Sequence, residues 1–315
     1  MCEVVCLGIF VADALGRPID KFPAFGRLVL FDRLELHTGG CASNTAMGLA
    51  KLGVKVAAIG RVGQDGFGDF ILGRLKECGI NITGVKRDEE ASTSFTFVSI
   101  ASDGERAFLH TLGANARLSL EDVDMELIKG AQILHIAGSF LMPGIDGEPT
   151  ARLLVEARAA GVITSLDTAY NDRLPDWLSV LQPSIPHIDY FLPSLEEARR
   201  IAGLKGPEEV ARFFLDRGVG VVGLKMGLDG AYVASKNEEV HVPIYQVETV
   251  DTTGAGDAFV AGFLKGVLEG WPLVECAKLG NATSALVVGA IGTTAGLRNF
   301  EETLKFQGEC EKRKL

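Results

Sequence analysis

Short apolar runs alternate with segments of helical periodicity over most of the chain. EVVCLGIF (3–10), VKVAAIG (54–60), AQILHIA (131–137), VITSLD (162–167), DYFLP (189–193) and VGVVGLK (219–225) are rich in Val, Ile and Leu, as strands covered on both faces are. Between them the pattern predicts helices over 43–53, 67–79, 121–129, 149–160, 194–203 and 207–217. Ser194 and Glu197 spell an S-x-x-E capping box, and Gly161, Gly203 and Gly218 follow helices as C-caps. The alternation predicts an α/β fold, with a mostly parallel sheet and helices on both sides.

Two segments break this rhythm. Residues 11–38 show polar–apolar alternation with turn signals (RPID, FPAFGR), and STSFTFVSIASDGERAFLHT (92–111) reads as a hairpin around SDGE. These antiparallel signals predict a small sheet made of 11–38 and 92–111, standing off a main unit made of 1–10, 39–91 and 112–315. A lid over a cleft, a dimer contact and an edge extension of the main sheet all suit it.

Composition narrows the function classes. The chain has 315 residues, 47% apolar and 23% charged, as in a soluble globular protein. Its longest apolar runs fall short of the roughly 20 residues a membrane span needs, and MCEVVCLGIF carries no basic leader. A cytoplasmic protein with no membrane partner is expected. A net charge of −10 argues against nucleic acid as a partner. The one basic cluster, KRKL at 312–315, reads as a solvated helix end. Six cysteines form no CxxC pair and no zinc spacing, so reduced thiols without structural metal are expected.

The stretch DTTGAGDAFVAGFLKGVLEG (251–270) carries the candidate chemistry. The Rossmann fingerprint fails because its third glycine is Phe259, and neither a Walker A nor a GxSxG motif occurs. QVETV (246–250) reads as a strand, Gly254, Ala255 and Gly256 as a small-residue turn, and a helix begins near Asp257. Free N–H groups at that helix end would stabilise a developing anion. Asp257 would then face a hydroxyl and take its proton while a phosphoryl group passes over the glycines. A plain helix N-terminus with an early aspartate is the competing reading.

D-T-T-G-A-G-D-A-F-x-x-G-F closely resembles the C-terminal signature of the ribokinase-like (PfkB) carbohydrate kinases. H-T-G-G-C-A-S-N-T-A-x-x-L-A-x-L-G (37–53) with IGRVGQDGFGDFILGRLKECGI (59–80) resembles the family's N-terminal signature, so the resemblance runs from about residue 3 to 300. It implies an αβα sandwich with a small antiparallel β-sheet lid, and an ATP-dependent sugar kinase. It further implies Asp257 as base, Gly254, Ala255 and Gly256 as anion hole, and Asp13, Gly39, Gly40 and Asn44 on sugar hydroxyls. The run Lys225-Met226-Gly227-Leu228-Asp229-Gly230 resembles the nucleotide-binding turn, with Gly227 and Gly230 admitting ATP and Asn281 near the adenine. Ser194 and Glu197 stand where the family has N-x-x-E, with Glu197 on Mg²⁺ through water. Asp251 and Thr253, with backbone carbonyls of 287–292, match a monovalent-cation (K⁺) site. A homodimer is expected from the exposed lid sheet.

The departures bear on substrate. Ribokinase itself has a Glu where this chain has Gly138-Ser139, which disfavours ribose. Kinases of 2-keto-3-deoxygluconate carry D-x-N-x-R where this chain reads Asp167-Thr168-Ala169-Tyr170-Asn171, with Arg173 nearby; an acidic sugar is thereby less favoured. A nucleoside kinase stays open, because Phe22, Phe25, Phe31, Phe95 and Phe97 could wall a base. So does a sugar sensor without turnover, while an NAD-dependent oxidoreductase is disfavoured by the failed fingerprint.

Overall fold

The computed structural model describes residues 2–312, so the basic end expected at 312–315 lies almost wholly outside the described residues. Among the described residues thirteen strands form two sheets. The strands are β1 (Val4–Gly8), β2 (Val11–Arg17), β3 (Arg33–Gly39), β4 (Val56–Gly63), β5 (Asn81–Asp88), β6 (Phe95–Ile100), β7 (Arg106–Thr111), β8 (Ile133–Ser139), β9 (Ile163–Thr168), β10 (Tyr190–Phe191), β11 (Val221–Lys225), β12 (Ala231–Ser235) and β13 (Glu239–Val242). The large sheet has the order β13-β12-β11-β10-β9-β8-β1-β4-β5. It is parallel from β5 to β11, and antiparallel where β12 and β13 are added.

The helices are α1 (Cys41–Lys51), α2 (Gly66–Glu77), α3 (Met125–Lys129), α4 (Glu148–Ala159), α5 (Trp177–Leu181), α6 (Leu195–Ala202), α7 (Pro207–Leu215), α8 (Ala255–Leu268), α9 (Leu273–Val288) and α10 (Phe300–Lys312). They cover both faces of the large sheet. In β1, Val5 and Leu7 join one core cluster, and Val4 and Cys6 the other. That is the two-residue period of a strand buried on both sides. Among the described residues no helix is long and apolar enough to cross a membrane.

Several expectations are revised. The apolar run 3–10 ends as a strand at Gly8, and β2 starts only at Val11. QVETV is not a strand: residues 243–250 have no regular structure. Pro243 follows β13 and lacks a ladder N–H, and Tyr245 and Val247 pack toward α9 and α10 instead. The helix expected at 121–129 is broken, with a 3₁₀ turn at Leu120–Asp122 and a new start capped by Asp124. The edge strand β5 escaped the pattern because most of its residues are exposed or half-exposed.

The second sheet has the order β3-β2-β6-β7. The hairpin around SDGE is present as β6–β7, but the sheet is not purely antiparallel, because its central pair β2–β6 is parallel. The cause is topological. β2 continues from β1 and β6 from β5, and both leave the parallel main sheet in the same sense. Two of the phenylalanines of this region make ring contacts, Phe97 with Phe31 and Phe95 with Phe67 of the main unit, while Phe22 and Phe108 are exposed. Phe25, Leu28 and Leu30, between β2 and β3, are exposed.

Candidate active site

Parallel strands leave their carboxyl ends on one rim, where open α/β sheets bind ligands. Lys225 ends β11, Thr168 ends β9 after Asp167, Ser139 ends β8, and Asp13 lies just beyond β1 on β2. The N-termini of α1 and α8 meet at the same rim. Their N-caps are Gly40 and Gly254, and neither end has a side-chain cap. Apart from Ala255 N–H, which reaches the Thr252 carbonyl at 3.3 Å, their first N–H groups are open to a ligand, and both positive helix poles face the same place.

Helix packing brings the two ends together. A Cβ added at Gly48 of α1 would lie 2.7 Å from Ala261 Cβ of α8, so glycine permits close contact there. One turn earlier on each helix, Asn44 Nδ2 donates to Asp257 Oδ2 at 2.8 Å. On its other flank α8 packs against α9 through Gly262, whose added Cβ would meet Thr283 Oγ1 at 2.5 Å. The first turn of α8 is thus held from both sides.

Asp257 is half-buried, and its carboxyl lies above the usual carboxylate range. Burial is the main cause, and the Glu197 charge adds to it; Asn44, the Lys225 ammonium and the Cys41 thiol work in the opposite direction. A carboxylate raised in this way, still close to cations and donors, has the character of a general base. Asp13 is pushed up to about 6, first by burial and further by the charge of Asp257, against the Thr96 hydroxyl and His37. Its carboxylate lies over the Gly39 backbone, where an added Cβ would be 1.9 Å from Oδ2. Gly40 has φ +90°, and an added Cβ there would strike Ile9 O at 2.4 Å.

Two buried polar atoms at this rim lack a hydrogen-bond partner among the described residues: Asn44 Oδ1 and Ser139 Oγ. Unpaired buried acceptors are costly in a finished core, and such atoms suit a hydroxylated ligand. Ser139 escaped the sequence reading as a polar contact, since position 139 drew attention only as the place of a missing Glu.

Beside this rim opens a cleft of about 650 Å³, lined among others by Lys225, Gly227, Gly230, Gly256 and Asn281. Gly227 has φ +59°, and a Cβ there would meet only open space. At Gly230 (φ +85°) an added Cβ would strike Val242 O at 2.1 Å. Asn281 donates both amide hydrogens to the Val242 and Pro243 carbonyls at 3.0 Å. Only its oxygen is left for a ligand. Lys225 forms a partly buried ion pair with Asp167, a partner the sequence did not single out. Burial works against the lysine charge, but Asp167, Glu197 and Asp257 outweigh it, so the ammonium is held above its ordinary range.

Ser194 and Glu197 form the expected capping box. Glu197 N–H donates to Ser194 Oγ (3.2 Å), Ser194 N–H to Glu197 Oε2 (3.1 Å), and Thr168 Oγ1 also donates to Oε2 (3.1 Å). Among the described residues no group of three or more His, Cys, Asp or Glu could hold a metal. Asp251 and Thr253 lie before α8 and are joined by Arg106 of β7, whose Nη1 donates to Asp251 Oδ1 at 2.8 Å and to Thr253 Oγ1 at 2.7 Å. Arg173 is exposed.

Comparison with known proteins accords with this geometry. The family profile described as pfkB family carbohydrate kinase matches residues 1–299. The 2-dehydro-3-deoxygluconokinase of Bacillus subtilis is 30% identical over 309 residues, 94% of each chain. The 5-dehydro-2-deoxygluconokinase of Clostridium perfringens is 28% identical over 282 residues, 86% of this chain and 83% of that protein. Among solved structures, Arabidopsis thaliana ribokinase with ribose and ATP superposes with TM-score 0.86 at 25% identity, covering 97% of this chain and 98% of that one. An E. coli protein provisionally called ribokinase II, solved with ATP and Mg²⁺, gives 0.86 at 27%, covering 98% and 100%.

Proposed function

The chain belongs to the pfkB family of carbohydrate kinases, with the ribokinase-like fold, and on that premise we propose that it transfers the γ-phosphoryl group of ATP to a primary hydroxyl of a small sugar. One observation carries the reading. A half-buried carboxylate, Asp257, sits in the first turn of an uncapped helix whose Gly256 lines a nucleotide-sized cleft.

The reaction follows from that placement. The sugar hydroxyl lies between Asp13, Asn44 and Asp257, and Asn44 Oδ1 takes a second sugar hydroxyl as donor. As the hydroxyl oxygen attacks the γ-phosphorus, its proton passes to Asp257. The bond from γ-phosphorus to the bridging oxygen breaks, and ADP leaves. N–H groups of Gly254, Ala255 and Gly256 receive the equatorial oxygens of the passing group. Lys225 and the turn at Gly227–Gly230 hold the nucleotide phosphates, and Asn281 lies at the base end of the cleft. Mg²⁺ bound to the ATP phosphates would neutralise their charge. Glu197 already gives Oε2 to Ser194 and Thr168, which suits contact with that ion through water. The second sheet acts as a lid that excludes water from the transfer. Its edge strand β3, with exposed Leu34 and Leu36, pairs two copies as a homodimer.

The sugar side favours an uncharged polyol. Asp13 and Asp257 face it, and Lys225 is already paired with Asp167. A keto-deoxy sugar acid is the second reading, favoured by what two relatives are called. It would need a cation for the carboxylate, and neither exposed Arg173 nor engaged Arg106 offers one. The test is ADP release from Mg·ATP over ketohexoses, pentoses, keto-deoxy acids and nucleosides, with Asp257→Ala as blank. A sugar that raises ADP release above the blank supports the reading. A response to nucleosides alone, or to no compound while ATP still binds, overturns it.

A further inference from the structure

Asp251 is almost fully buried and sits three residues before Gly254, at the entrance to the anion hole. An uncompensated carboxylate there would oppose the negative charge that the hole must accept. A bound monovalent cation is one way to cancel it, and Asp251, Thr253 and carbonyls of 287–292 would be its ligands. In this protein Asp251, Thr253 and the first two of those carbonyls are engaged. Asp251 Oδ1 accepts from Arg106 Nη1 and from Thr253 N–H, Asp251 Oδ2 accepts from Gly292 N–H at 2.9 Å, and Thr253 Oγ1 accepts from Arg106. The Val288 carbonyl takes two N–H donors, from Val250 at 2.8 Å and Asp251 at 3.1 Å. The Val287 carbonyl takes those of Gly289 and Ala290. The residues do not fit a bare ion while Arg106 is in place.

We propose that the Arg106 guanidinium is the built-in cation of this site, holding the positive charge and the Asp251 and Thr253 positions that a monovalent ion would otherwise hold. Arg106 acts through Asp251 and is a positioning residue. It comes from the first position of β7, so the same contact ties the second sheet to the loop that precedes α8. Both bonds leave one nitrogen, Nη1, so a lysine can supply the charge, but its flexible stem does not fix the donor as the planar guanidinium does, and an alanine leaves Asp251 exposed to whatever ion the solution offers.

The experiment compares wild type, Arg106→Ala and Arg106→Lys in chloride salts of tetramethylammonium, Na⁺ and K⁺ at equal ionic strength. Thermal melting and ADP release are both read. Wild type is expected to keep its melting temperature in all three salts, and its turnover within about twofold. Arg106→Ala is expected to lose about tenfold or more in tetramethylammonium, and to regain both turnover and melting temperature in K⁺. Arg106→Lys falls between them. K⁺ activation of wild type by tenfold or more would overturn the proposal. So would an Arg106→Ala protein equal to wild type in tetramethylammonium, or one whose loss K⁺ does not mend. Should Arg106→Ala fail to fold, wild type and Arg106→Lys decide. The turnover arm rests on the kinase reading, but the melting arm involves no catalysis. A panel without a responding sugar would sink that reading and leave this one decided by melting.

Discussion

Gly256→Ala separates the fold from the chemistry. Gly256 has no positive φ, and a Cβ built on it would meet nothing closer than Lys225 Nζ at 3.5 Å, an ordinary contact. The protein's own packing gives no reason for glycine here. In the first turn of a helix, alanine should stabilise by about 0.5 kcal/mol, raising the melting temperature by about 1–2 °C in a chain of this size. The same methyl would project into the cleft where the proposed reaction brings the phosphates to the α8 N–H groups. Displacing the reacting group by about 1 Å costs roughly 10²-fold in rate. Gly254 is the control. Its φ of +78° and a Cβ only 2.6 Å from Thr293 O make Gly254→Ala costly by about 1–2 kcal/mol from backbone conformation alone, before the clash. The assay is differential scanning calorimetry beside steady-state ADP release. Gly256→Ala is expected to melt at or above wild type and turn over about 10²-fold more slowly. Wild-type turnover in Gly256→Ala would show that no phosphoryl group passes there, and a melting loss as large as that of Gly254→Ala would refute the packing argument.

Asn44→Ala removes a donor to Asp257 and the orphaned Oδ1. KM for the sugar should rise about tenfold or more. Because that bond lowers the Asp257 pKa, the acid limb of kcat/KM should also move to higher pH; an unmoved limb would detach Asn44 from the base. Asp13, at about 6 in the folded protein, lies above its unfolded value near 3.9. The native state therefore binds more protons between those values, and stability from this group increases as pH falls through 6. Asp13→Asn should melt higher than wild type at pH 8, with the gap closing toward pH 5, while sugar binding is lost. A gap that widens on acidification would contradict the assignment. Leu34→Lys on the edge strand β3 should shift sedimentation from dimer to monomer, and an unchanged sedimentation coefficient would move the interface elsewhere.

Much of this site could be read from residue order. The capping box at Ser194 and Glu197 and the hairpin at SDGE are local, and their signals lie within four to ten residues. The parallel strands carry continuous apolar runs because both their faces are covered. Tertiary choices were not legible. Asp167 meets Lys225 across 58 residues and Arg106 meets Asp251 across 145, and no spacing in the chain encodes either pairing. QVETV has the alternation of a strand, but its alternate side chains pack on α9 and α10 and line the cleft. The alternation reports that one side is covered, not whether a neighbouring strand or a pair of helices covers it. β5 was lost for the opposite reason, since an edge strand with polar residues has little to distinguish it from a loop.

The most direct test of the account is the turnover of Asp257→Asn with Mg·ATP and the responding sugar, measured beside ATP affinity by calorimetry. Asn keeps the shape and a hydrogen-bonding oxygen but cannot take the proton. The account predicts a kcat loss of about 10³-fold or more with ATP affinity within about threefold of wild type. Turnover close to wild type would show that the proton leaves by another route, and the assignment of Asp257 as the base would fall.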